Sequence, residues 1–153
     1  MIQTSTTPAY AARQRKLNDL TMLEYLLLGD LSDVLEEPAS DENKKWILAL
    51  VDTLLDTLPA EYRLRDIQGL YEEVLHEHPS WDSAVLKIRQ EQRTLVTELK
   101  SLKASLDCCK NFKASADSLK QELMLWMNHL IQFNQREKRL LQDAYNIEVG
   151  VGD

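Results

Sequence analysis

The apolar positions of the chain recur at steps of three and four residues along four long stretches, the spacing of one face of an α-helix. The first stretch, residues 11–36, carries Leu17, Leu20, Leu23, Leu27, Leu28, Leu31, Val34 and Leu35, and Pro38 just beyond it cannot continue a helix. The second opens at Ser40 or Asp41, either a suitable N-cap, and runs on Ile47, Val51, Leu54 and Leu58 to Glu61 and Arg65. Pro59 falls inside that pattern and predicts a kink or a split. A shorter helical piece, residues 66–76, follows, with Gly69 allowing a bend. The third stretch starts after His78 and Pro79, with Ser80 as its expected N-cap. It carries Trp81, Val85, Ile88, Gln92, Leu95, Leu99, Leu102 and Leu106. The fourth, residues 112–144, carries Phe112, Ala116, Leu119, Leu123, Trp126, Leu130, Phe133, Glu137, Leu140 and Ala144.

Stripes this narrow suit helices packed at about +20°, and short connections make sequence neighbours antiparallel. The expected fold is therefore all-α, an antiparallel up-down-up-down four-helix bundle with a short extra helix between helices two and three. The domain is expected over residues 11–146, between a disordered leader at 1–10 and a loose tail at 147–153.

Composition sharpens this picture. With 153 residues, 44% of them hydrophobic, the chain is long enough to bury a core without disulfide or metal staples. Four Gly and four Pro are too few for the turns of an all-β fold. A net charge of −7 argues against nucleic acid, which demands a basic surface. No apolar run approaches the roughly 20 residues of a membrane span. The polar N-terminus lacks a signal-peptide core, which makes the cytoplasm the expected compartment. Cys108 and Cys109 are adjacent and cannot form a framework crosslink. The neighbouring Lys110 and Lys113 could favour a thiolate there, but an ordinary turn with incidental thiols is the preferred reading.

The seams turn polar in one zone. Gln92 and Glu137 interrupt the third and fourth stripes, Glu61 and Arg65 extend the second, and Glu24 and Tyr25 lie midway along the first. Buried polar groups are costly unless they pair, so these residues are expected to meet in the interior or to lie solvated at a bundle end. Inward-facing side chains from four helices are also how bundles build ligand sites.

Here a resemblance enters. The run Asp66-Ile67-Gln68-Gly69-Leu70-Tyr71-Glu72-Glu73-Val74-Leu75, then His78-Pro79-Ser80-Trp81, resembles the segment after the second helix of bacterial hemerythrin-like domains. Gln135-Arg136-Glu137-Lys138-Arg139-Leu140-Leu141-Gln142-Asp143-Ala144-Tyr145-Asn146, with the ending Gly150-Val151-Gly152-Asp153, resembles their last helix and tail. The resemblance spans roughly residues 17–153. It implies a two-iron site of histidines and carboxylates, but carried over position by position the ligands are lost. The first-helix histidine falls on Tyr25, and the second-helix His and Glu fall on Glu61 and Arg65. The third-helix His falls on Gln92, preceded by Glu91, and the last-helix His falls on Phe133, leaving Glu137 as the one retained carboxylate.

A di-iron centre needs neutral imidazoles with bridging carboxylates, and a permanent arginine cation repels metal. The expectation is thus no metal, no cofactor and no enzymatic activity. Arg65 is expected to pair with Glu137, with Gln92 or Tyr25 satisfying the remaining acceptors. A relocated metal site at His76, His78 or His129 weighs less than plain solvated histidines, and Trp46, Trp81 and Trp126 are expected as core anchors. Two roles follow. One is a structural or protein-interaction module, self-associating or binding another protein through Met124, Leu125, Met127 and Ile131. The other is a small-molecule or metal binder using a remodelled site among Tyr25, Glu61, Gln92 and Glu137.

Overall fold

A computed structural model describes the backbone of residues 7–150 and the side chains of residues 7–144. It consists of five packed helices, with no strand among the described residues: α1 (Pro8–Glu36), α2 (Asp41–Ile67), α3 (Leu70–Glu77), α4 (Asp82–Cys108) and α5 (Phe112–Gly150). A single 3-10 turn, Pro79–Trp81, leads into α4. The helices form a bundle-like assembly in which α1 lies along α2, α2 along α4, and α4 along α5, while α1 and α5 touch only sparsely.

Local chemistry sets the ends. The Thr7 hydroxyl accepts from the backbone N–H of Tyr10 at 3.1 Å, and Pro8 supplies a first residue that needs no N–H partner. The helix therefore begins at Pro8, inside the stretch expected as a leader, of which residues 1–6 lie outside the described part. At the far end, Pro38 forces an extended Glu37, whose N–H caps Val34 O. The buried Asn43 amide donates to the same carbonyl at 2.9 Å, tying α1 to the start of α2. Ser40 caps α2 through Asn43 N at 3.0 Å.

Several expectations are corrected. α2 runs unbroken through Pro59, because the flanking Leu54, Leu58 and Glu61 are fully buried and packing outweighs one lost backbone bond. The break comes instead at Gly69, whose φ of +74° is a left-handed conformation that favours glycine. Ser80 caps nothing: it sits in the 3-10 turn, and α4 starts at Asp82 without a side-chain cap. The expected loose tail is helical as far as Gly150, and 151–153 lie outside the described residues.

The core follows the stripes of α2, α4 and α5 closely. Ile47, Val51, Leu54 and Leu58 pack with Val85, Ile88, Leu95 and Leu99 and with Leu123, Trp126, Leu130 and Phe133. Trp126 also donates its indole N–H to Leu95 O at 2.9 Å, which removes the cost of burying it. Trp46 is no anchor, since it is 57% exposed, and Trp81 is half-buried and stacked on His78. On α1 the phase differs from expectation: Leu23 faces outward and Glu24 takes an inward position.

Candidate functional site

The five helices bring one polar side chain after another into a shared interior zone. Arg65 on α2 is the hub. Its guanidinium donates to Glu61 one turn earlier at 2.7 Å and to Glu137 on α5. Tyr71 on α3 donates its hydroxyl to the other Glu137 oxygen. Gln92 on α4 donates to Tyr71 Oη at 2.9 Å and reaches the same Glu137 oxygen at 3.4 Å. Thr21 on α1 places its hydroxyl 2.9 Å from Glu61 Oε1. Glu24, also on α1, accepts from the Asn134 amide of α5 at 2.7 Å.

Of the residues expected at this site, Glu61, Arg65, Gln92 and Glu137 meet as one network. Phe133 is fully buried beside it, edge-on to Tyr62 with ring centroids 6.1 Å apart. Tyr25 does not join. It is 74% exposed, because the α1 face that turns inward is centred on Glu24 and Leu28, and Tyr71 makes the contact expected of it. Tyr71 eluded the pattern because α3 has only eight residues, too few to show a seam. Asn134 was hidden beside the stripe position Phe133, and only its pairing with Glu24 across the fold reveals it.

Electrostatics in the zone are governed by burial. Burial opposes the charge on Arg65, but Glu137 and Glu61 outweigh it and hold the guanidinium firmly protonated. Burial raises the Tyr71 hydroxyl, and Glu137 beside it adds to the effect, so Tyr71 acts as a donor. Burial likewise raises Tyr62, with Glu24 and Glu61 adding to it. The Glu24 carboxyl is pushed up to about 8, first by burial and then by Glu61, against the opposing pull of Asn134 and Arg65.

This donor set does not fit a two-iron centre. No imidazole faces the zone, the guanidinium lies between two of the three carboxylates, and the fully buried Phe133 offers no ligand atom. No cluster of His, Cys, Asp and Glu suited to a metal ion occurs among the described residues. The remaining histidines lie apart. His129 sits 3.3 Å from Glu98 on the outer surface, His78 contacts Ala144 O, and His76 is exposed. Cys108 and Cys109 are free thiols at the end of α4.

Beside the network lies a feature that the sequence pattern did not show. Because α1 and α5 barely touch, a groove of about 1090 Å³ opens between them. Its walls include Leu28, Met127 and Ile131, its lips include Tyr25, Leu26 and Met124, and Glu24, Arg65, Asn134 and Glu137 border it. Of the apolar residues of α5 that stand off its seam, Met124, Met127 and Ile131 line this groove and Leu125 does not.

In comparisons with family models, curated proteins and solved structures, nothing matches the chain. No helix among the described residues is long and apolar enough to cross a membrane.

Proposed function

We propose that this chain is a hemerythrin-like, metal-free, antiparallel four-helix bundle that binds a small molecule in the groove between α1 and α5. In this reading α1, α2, α4 and α5 run up, down, up and down, and α3 is the extra helix. The observation that carries it is the groove itself: apolar walls leading to a few convergent polar groups, the usual make-up of a ligand site. Its volume of about 1090 Å³ is just above the several hundred to about 1,000 Å³ of drug-sized pockets. In this reading the role is binding, with Glu61 and Glu137 held by Arg65 and Glu137 also by Tyr71.

Gly29 provides the test, because it lines the groove and a Cβ built there meets nothing within 4 Å. Gly29→Phe fills the groove without pressing on the core. An uncharged, environment-sensitive dye such as Nile red is expected to bind saturably at one site per chain, and Gly29→Phe to abolish it. Binding unchanged by Gly29→Phe would place the site elsewhere and overturn the reading.

A second role is favoured by exposed apolar side chains on α1 and α5. Met22, Leu125 and Met124 are each more than half exposed, which suits a protein contact or self-association. Sedimentation would show a concentration-dependent dimer that Leu125→Lys abolishes. A strict monomer removes the self-association version.

A further inference from the structure

The polar zone at the inner end of the groove, which Glu24, Arg65 and Glu137 line with Glu61 fully buried beside them, is short of positive charge. Three carboxylates, Glu24, Glu61 and Glu137, share one guanidinium, and Arg65 spends its bonds on the latter two. Glu24 is only 5% exposed, and its Oε1 has no partner. Oε2 of the fully buried Glu61 and Oδ1 of Asn134 are also unpartnered. With Glu24 ionised all three are acceptors, and the unpartnered donor beside them is the Tyr62 hydroxyl; with Glu24 protonated its carboxyl can donate to Glu61. Native interiors rarely leave such groups alone, because each costs its full desolvation.

The mouth repeats the bias. Asp30, Asp33 and Glu36 line the α1 side of the groove, against Lys138 on the α5 side. An anionic ligand meets repulsion along this whole path, and an uncharged head gains nothing from it. An ammonium supplies three N–H donors and a positive charge at once. The apolar walls then call for an apolar body. From Glu24 to Glu36, α1 rises about 18 Å, enough to lay an extended eight-carbon chain alongside it.

We infer that the groove binds an amphiphilic primary amine, its ammonium against Glu24 and Asn134 and its apolar body along Leu28, Met127 and Ile131. Without a ligand, the negative excess is relieved by a proton held at Glu24. The charged and titratable groups around that carboxyl are Glu61, Tyr62 and Arg65 from α2 and Glu137 from α5. The ammonium takes the place of that proton. Asn134 turns its amide oxygen to the new donor. This inference rests on the groove being a small-molecule site.

The test compares eight-carbon probes by titration calorimetry at neutral pH: octylamine, octyltrimethylammonium, octanoate and octanol. Octylamine is expected to bind one per chain, at least tenfold more tightly than each of the others. The quaternary probe carries the charge but no N–H, so equal binding by it overturns the donating head. Glu24→Gln keeps the size and hydrogen-bonding capacity of the protonated side chain and is expected to weaken octylamine at least tenfold, leaving octanol unchanged. Gly29→Phe is expected to abolish binding of every probe. If octanol or octanoate binds while octylamine does not, the amine assignment fails and the binding groove stands. If no probe binds and Nile red does not bind either, both fail.

Discussion

Arg65 on α2 and Glu137 on α5 are ion-paired across 72 residues of sequence, and each has a second partner holding it in place. Glu61 orients the guanidinium from one turn away, and Tyr71 and Gln92 hold the far oxygen of Glu137. A buried pair of this kind need not outperform apolar packing, but removing one partner strands the other. Glu137→Ala leaves the Tyr71 hydroxyl and half the guanidinium unsatisfied. The expected loss is about 3–5 kcal/mol, a fall in Tm on the order of 10 °C for a domain of this size. Thermal unfolding checks it, and a change within measurement error would refute the structural role of the pair.

Arg65 bridges two carboxylates because its fork presents separate N–H groups to each. Lysine offers one compact charge and no fork, so Arg65→Lys keeps the net charge but cannot reach both partners with the same geometry. Urea unfolding should show a loss on the order of 1–3 kcal/mol for the lysine variant. Arg65→Met should cost more than Glu137→Gln, since it leaves two carboxylates, Glu61 and Glu137, without their cation. The reverse order would mean that one of these carboxylates is relieved by a group other than Arg65.

Glu24 gives the protein a stability that depends on pH in an unusual direction for a carboxylate. Its pKa rises from an ordinary 4.5 to about 8 in the folded chain, through burial first and Glu61 second. Between those values the folded state holds a proton that the unfolded state has released. The contribution is complete below about pH 4.5 and is lost as pH climbs through about 8. At its steepest, one proton corresponds to about 1.4 kcal/mol per pH unit. Denaturant unfolding from pH 5 to 9 should show wild type losing stability relative to Glu24→Gln, which cannot titrate. Parallel curves for the two proteins would show that Glu24 does not hold the proton.

Legibility in the sequence depended on how well periodicity fixed the rotation of each helix. α4 and α5 carry long stripes that step by three and four through Gln92 and Glu137, so these inward positions could be assigned from spacing, although α5 also bears apolar residues off its seam. α1 is rich in leucine on several sides, with Leu20, Leu23, Leu26, Leu27 and Leu28 close together. Spacing there admits more than one rotation, and the choice between Glu24 and Tyr25 for the inward position was left to packing. Tyr71 was beyond reach for a different reason: one helix of two turns has no period to read. The groove is a relation between the first and last helices, and nothing local to either records that they stand apart.

Two glycines make opposite predictions from the same substitution. Gly29 lies within α1, where a Cβ meets no atom within 4 Å. Alanine there removes backbone freedom from the unfolded chain and improves helix propensity, so Gly29→Ala should stabilise by about 0.5–1 kcal/mol. Gly69 has equal room around it, yet its φ of +74° is one that an L side chain rarely adopts. Gly69→Ala should destabilise by about 1–2 kcal/mol, and for reasons of backbone strain rather than crowding. Because α3 carries Tyr71, strain released by shifting the α2–α3 break would also loosen the contact to Glu137. The Glu137→Gln penalty should therefore shrink in the Gly69→Ala background, by more than the few tenths of a kcal/mol within which independent sites add. A double-mutant cycle by urea unfolding measures that coupling. Strict additivity would mean that the left-handed turn sets chain direction without positioning the tyrosine.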